Sequence, residues 1–252
     1  MSTQLKQRYA DLVRRCFDSR EEYNEENLTA FWAMKGVRAM GDLMVIGRAV
    51  NGWDDDWVKG QLSESTEIES FVTRMQERAE PKDKCPMGWV NECWQPKHDD
   101  PNYNTARSAF WRVIKGATLG IGVAKEESEW PSYLMWSNLY KVSPKDAGNP
   151  STKLVILQQD YCAEILTLEM QRWQPKRILL LTGIDWADWF LNKLSAIRVP
   201  LDNSSHVQWA GKLEIPGGHL VPVVVGPHPQ GKEEAPLVAE IIKAFSVIAE
   251  KS

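Results

Sequence analysis

Three short stretches carry the residue types best suited to chemistry: Gly47-Arg48-Ala49-Val50-Asn51-Gly52-Trp53, Ser137-Asn138-Leu139-Tyr140-Lys141-Val142-Ser143-Pro144, and Gly226-Pro227-His228-Pro229-Gln230-Gly231-Lys232. Each follows an apolar run. Asn138 stands inside one of those runs, where an amide must find partners for its donors and its acceptor. Either nearby loop backbone or a ligand meets that need. His228, if neutral, offers a hydrogen bond to an oxygen on which negative charge builds. Asn51 is able to orient a water but not to deprotonate it, and Arg48, always charged, cannot act as a base. Lys141, Lys145 and Lys232 follow two of the strands, where they either meet phosphates or simply face solvent. Cys85, Cys93, His98 and Asp99 fall in one polar segment. The C-x7-C spacing is not a usual zinc pattern, so neither a metal nor a disulfide is expected there. No GxxxxGK[ST] or GxGxxG follows a strand, which leaves no phosphate loop to propose.

The elements that must position these residues alternate. Leu43–Ile46 is a short apolar run, two of whose residues are β-branched, the pattern of a strand buried on both faces in a parallel sheet. Further strands are expected over Leu134–Val142, Arg177–Gly183 and Leu220–Val225, the last broken by Pro222 and so placed at a sheet edge. Helices are expected over 3–18, 28–34, 67–80, 106–116, 185–194 and 233–250, with Gly116 or Gly120 ending the fourth, and over a stretch carrying Leu154 to Leu168 that Ser151 or Thr152 caps and Gln174-Pro175 ends. A short hairpin is expected around Val207–Ile215. Strand and helix alternating from Leu134 onward is the pattern of a doubly wound sheet. Ligands in such sheets bind beyond the carboxyl ends of the strands, where the three stretches lie. The segment 81–104, rich in Pro, Asp, Asn and Lys, reads as a long surface excursion.

Composition sets the outer bounds. The chain has 252 residues, 43% of them hydrophobic, enough for one large α/β domain or at most two small ones. Its net charge of -4 supplies no overall positive field, so a polyanion would have to meet a local basic patch. The four cysteines form no CxxC pair, which fits a reducing, cytoplasmic compartment better than a disulfide framework. The polar start is no signal peptide, and no apolar run approaches the roughly 18 residues that cross a bilayer.

The order of these parts resembles the uracil-DNA glycosylase superfamily. Leu43–Gly47 and the loop after it resemble that family's first motif, where the loop positions the attacking water. Ala106–Lys115, with Phe110-Trp111, is similar to the Phe-Trp helix of the mismatch-specific branch. The run from Ser137 to Pro144 resembles the Thr-Asn-x-x-Lys-x-x-Pro run of the thermostable branch, in which the asparagine reads the base. Gln174–Gly183 resembles the family's Pro-Lys-x-Ile-x-x-x-Gly strand, and His228-Pro229-Gln230 stands where the family has His-Pro-Ser. The chain departs from the pattern at Arg48, where related branches carry Asp, Glu or Asn soon after the glycine. It also lacks the thermostable branch's iron–sulfur cysteines, and no wedge leucine follows Pro229.

The resemblance implies a three-layer αβα fold with a four-stranded, mainly parallel sheet, in one domain over 1–252 with a helical extension (1–40) and an insertion (54–104). It implies hydrolysis of the N-glycosidic bond of a flipped uracil or related base in single- or double-stranded DNA, by a monomer needing no cofactor or metal. His228 and Asn51 would be catalytic. Gly47, Arg48, Ala49, Trp53, Asn138, Pro229 and Gln230 would line the base pocket, and Lys141, Lys145 and Lys232 would meet the DNA. Two other readings stay open: a binding relative of the same fold without cleavage, favoured by Arg48, and an α/β enzyme acting on small nucleotides or nucleosides.

Overall fold

Fully apolar four-residue runs make the centre of the larger sheet, because a strand that buries both faces needs no alternation. The structure is a computed structural model that describes residues 2–50, 52–53, 55–94, 103–146, 148–202 and 204–250. Its elements are α1 (Ser2–Asp18), β1 (Asn27–Ala30), β2 (Met34–Lys35), β3 (Met44–Gly47), β4 (Asp56–Val58), α2 (Ser65–Ala79), α3 (Gly88–Glu92) and α4 (Ala109–Gly120). There follow β5 (Met135–Asn138), β6 (Val142–Pro144), α5 (Thr152–Trp173), β7 (Ile178–Leu181), α6 (Ile184–Lys193), β8 (Ile197–Arg198), β9 (Trp209–Ile215), β10 (His219–Gly226) and α7 (Glu234–Glu250).

The fold is mixed α/β. One sheet has seven strands in the order β2-β5-β3-β7-β10-β9-β8, and a second has three in the order β4-β1-β6. In the larger sheet β3 and β10 both run parallel to β7. The Met135 N–H donates to Leu43 O and the Leu139 N–H to Gly47 O; the equal steps along both chains make β5 parallel to β3. The pairs β2–β5, β9–β10 and β8–β9 are antiparallel. The expected four-stranded sheet is therefore corrected to a seven-stranded mixed one. Its additional members are β2 and β8, two-residue strands too short to announce themselves, and β9, which falls where a short hairpin was expected but pairs with β10 and β8.

Three more expectations change. Over 28–34 the chain forms the end of β1, an irregular link and the start of β2 rather than a helix, since β1 is laddered on both sides, by β4 and by β6. The Thr29 hydroxyl adds bonds to Trp53 O and Asp55 O, and pairing of this kind overrides a weak helical spacing. The run Leu134–Val142 splits in two, because the Lys141 and Val142 N–H groups both turn to the Gln158 side-chain oxygen and leave the ladder. Lastly, β10 lies inside the sheet, not at its edge. Pairing with β7 begins only at Val223, so Pro222, with no N–H, faces β9 alone.

The described residues group into two compact units, each drawn from three stretches: 1–33, 47–81 and 137–173 in unit 1, and 34–46, 82–136 and 174–252 in unit 2. Unit 1 packs α1 against α5 and α2 through Leu5, Tyr9, Leu12, Val13 and Cys16, all buried. Ser151 starts α5 by accepting the Leu154 N–H. Unit 2 packs α4 against α7. Gly116 does not end α4 but lets α7 approach: a Cβ there would lie 3.1 Å from Val238, and one at Gly120 2.2 Å from Ile242.

Candidate functional site

Within unit 1 the first two stretches are brought together by backbone. Gly47 and Arg48 carbonyls accept the Leu139 and Tyr140 N–H groups at 2.8 and 2.9 Å, and the Ser143 hydroxyl donates to Val50 O at 2.6 Å. Gly47 is buried; Arg48 and Ala49 are half-buried. Trp53 is half-buried too, edge-on to Phe31 with centroids 5.6 Å apart, so its ring is tied to the core of unit 1. Asn51 lies outside the described residues.

Asn138 ends β5 at 2% exposure, and its amide nitrogen has no hydrogen-bond partner among the described residues. Leaving a buried donor unmade costs roughly 1–3 kcal/mol, so a native chain carries one where something else supplies the acceptor. Its neighbours are the opposite case. Lys141 is fully buried, and its ammonium donates to Glu169 Oε1 and Oε2 at 2.9 and 3.0 Å and to Ser137 Oγ at 2.6 Å. Ser137 Oγ donates to Glu169 Oε2 at 2.7 Å, and the Tyr9 hydroxyl to Glu169 Oε1 at 3.2 Å. Burial, and then the Glu169 charge, raises the Tyr9 pKa well above the usual phenol value, so the hydroxyl keeps its proton and stays a donor. Cys162, beside Gln158, is pushed up to about 12 by burial and is no nucleophile.

The expectation that Lys141 meets phosphate is corrected by this arrangement: a side chain with no exposed surface and a carboxylate partner has no rim to sit on. Lys145 is half-buried and pairs with Asp56. Glu169, Gln158 and Tyr9 escaped the sequence reading, and Ser137 stood in its stretch without a role. The available signal was Glu169 itself, which continues the stripe Gln158, Cys162, Ile165 on the buried side of α5.

The third stretch belongs to unit 2. There His228 is half-buried and lies parallel to Phe110 at 6.3 Å. Its Nδ1 accepts the Gln230 N–H at 3.4 Å. Pro229 is buried, while Gln230 and Lys232 are exposed. Phe110 is only half-buried; Trp111 takes the inner place on that helix at 2% exposure. Trp111 joins Trp89, Trp130 and Trp136 in a cluster of rings 5.1–6.3 Å apart. Two cavities of about 310 and 380 Å³ in unit 2, beside Arg38, include none of the residues expected at a site.

Cys85 and Cys93 are not joined in a disulfide, and His98 and Asp99 lie outside the described residues. Among the described residues no group of three or more His, Cys, Asp or Glu is placed to hold a metal. No described helix is long and apolar enough to cross a membrane.

No family model matches the chain, and no curated protein matches it. Among solved structures it is similar to a domain of unknown function (DUF1537) from Bordetella bronchiseptica, a domain-swapped dimer with bound citrate. The identity is 11% and the TM-score 0.34, over 85% of this chain. The chain spans 42% of the length of that neighbour. A likeness at that TM-score carries no argument about fold, ligand or assembly.

Proposed function

We infer that the chain reads a nucleobase through Asn138 and is a DNA glycosylase of the uracil-DNA glycosylase kind, with that superfamily's three-layer αβα arrangement. The observation that carries the reading is the Asn138 amide, buried in unit 1 with its donor unmet among the described residues. A carboxamide offers a donor and an acceptor side by side, which matches the N3–H and O4 edge of uracil. A flipped base in a closed pocket is recognised by edge contacts of this type. Breaking the glycosidic bond leaves negative charge on the departing base. In the superfamily that the chain resembles, the histidine at the place of His228 donates to the oxygen where that charge collects, and the reading carries that task over to His228. Asn51 orients the attacking water, and Arg48, standing where related branches carry Asp, Glu or Asn, takes no proton.

That last point favours a second reading, binding of the base without cleavage. Incubation with uracil-containing single- and double-stranded oligonucleotides separates the two. Abasic sites that vanish in His228→Ala, with binding retained, support cleavage. Binding that falls in Asn138→Ala with no abasic product supports the binding relative. Equal affinity of the wild type for oligonucleotides with and without uracil removes both.

A further inference from the structure

A buried ion pair needs a reason other than stability. Apolar side chains of similar volume commonly replace such a pair with no loss of stability, because two charges taken out of water recover little more than their desolvation. Lys141 and Glu169 are both without exposed surface. What the pair supplies is direction. Ser137, immediately before Asn138, both donates to Glu169 and accepts from Lys141. Beyond Asn138, the Leu139 and Tyr140 N–H groups are held by Gly47 and Arg48, and the Lys141 and Val142 N–H groups by Gln158. The Gln158 amide returns a bond to Val142 O at 2.7 Å. The chain is thus fastened on both sides of an amide whose own nitrogen is left unmet among the described residues.

We propose that the Lys141–Glu169 pair, acting through Ser137, is a positioning device that holds Asn138 with its amide donor presented to a ligand instead of relaxing onto a neighbouring carbonyl. Lys141 and Glu169 are positioning residues and touch no ligand. The inference rests on the reading of Asn138 as a base-edge contact, and it adds what keeps that contact ready: a site is effective when its contact group is locked by the shell behind it.

The test uses the full chain. The double variant Lys141→Met with Glu169→Gln removes both charges while leaving an acceptor for the Ser137 and Tyr9 hydroxyls, so it keeps the fold. Ser137→Ala is the second variant, should the first not fold. The readout is the Asn138 side-chain NH2 pair in a ¹⁵N correlation spectrum, identified by its loss in Asn138→Asp. A sharp, dispersed pair in the wild type should broaden or collapse toward free-amide shifts in either variant. In parallel, affinity for a uracil-containing single-stranded oligonucleotide should fall about tenfold, the size of one polar contact. It should not fall further when the change is made on top of Asn138→Ala. An unchanged amide pair in a folded variant overturns the proposal, whether or not DNA binds. Equal losses in the wild-type and Asn138→Ala backgrounds reduce the pair to a structural element and overturn it too. A wild type indifferent to uracil refutes the base reading alone, and the amide spectrum still decides the positioning.

Discussion

Unit 1 and unit 2 fill their interiors by opposite means. Unit 1 buries a knot of Lys141, Glu169, Ser137 and Tyr9, in which the ammonium and both carboxylate oxygens are hydrogen-bonded. Unit 2 packs tryptophan rings edge to face, the buried Trp111 lying against the half-buried Trp89 and the buried Trp136 at interplanar angles of 84° and 68°. Ring packing is governed by volume and by a broad choice of offset and edge-to-face arrangements, whereas a hydrogen bond also fixes direction and weakens steeply as its angle closes. Position is therefore fixed more tightly where the charges are, and Asn138 is anchored there.

The largest effect expected from breaking that contrast comes from unpairing the knot. Glu169→Gln removes one charge and leaves a buried ammonium without its anion, a change that typically costs roughly 3–5 kcal/mol. The double variant with Lys141→Met should return to within about 1 kcal/mol of the wild type, because both charges leave together. Urea midpoints at constant slope measure both. A single variant as stable as the double would mean that the pair is not coupled. Trp111→Phe, the matching conservative change in unit 2, keeps an aromatic ring and leaves a modest void. It should cost about 1–3 kcal/mol, in proportion to the cavity left. A loss larger than that of Glu169→Gln would invert the comparison.

Unit 2 has a polar latch of its own, and it lies nearer the surface. Glu240 on α7 accepts from the backbone N–H groups of Ser205, His206 and Val207 and from the Ser204 and Ser205 hydroxyls. Burial alone would raise its pKa, but the bonds from His206, Val207 and Ser205 outweigh that and hold the carboxyl well below the usual carboxylate range. A depressed folded-state pKa contributes stability that is fully present above the unfolded value, about 4.3, and is lost as pH falls toward the folded one. Glu240→Gln should cost about 1–2 kcal/mol at pH 7, and its difference from the wild type should shrink below about pH 4. Melting temperatures compared at pH 7 and pH 3 read this directly. A gap that does not narrow in acid would show that the latch carries no ionic part.

These contrasts also show where the sequence was legible. The apolar runs at Met44–Ile46 and Ile178–Leu181 announced central strands, because a strand buried on both faces has no other pattern. The stripes in α1, α2 and α5 were equally plain. What stayed hidden depended on distant partners. Nothing local tells Thr29 to join a ladder or Gln158 to capture two backbone N–H groups and cut a strand short. Asn138 could be singled out from an apolar surround, but Lys141 looked like a rim lysine, since its anion lies 28 residues away. A buried charge is visible in sequence only through its partner, and Glu169 passed for one more polar residue on a long helix.

The smallest expected effect separates two adjacent residues. Ser137 has both of its hydroxyl bonds made inside the knot, and Ser137→Ala should cost about 1–2 kcal/mol by leaving Glu169 and Lys141 one partner short. Asn138 is just as buried, yet its nitrogen gains nothing from the described residues. Asn138→Ala removes an unmet donor and opens a small void, two terms of opposite sign, so stability should move by less than about 1 kcal/mol. A side chain held at a folding cost, with its compensation deferred until a ligand arrives, behaves in this way. Denaturant midpoints for the two alanine variants, measured side by side, decide it. If Asn138→Ala costs as much as Ser137→Ala, the amide is already satisfied in the free protein, and its availability to a base edge goes with it.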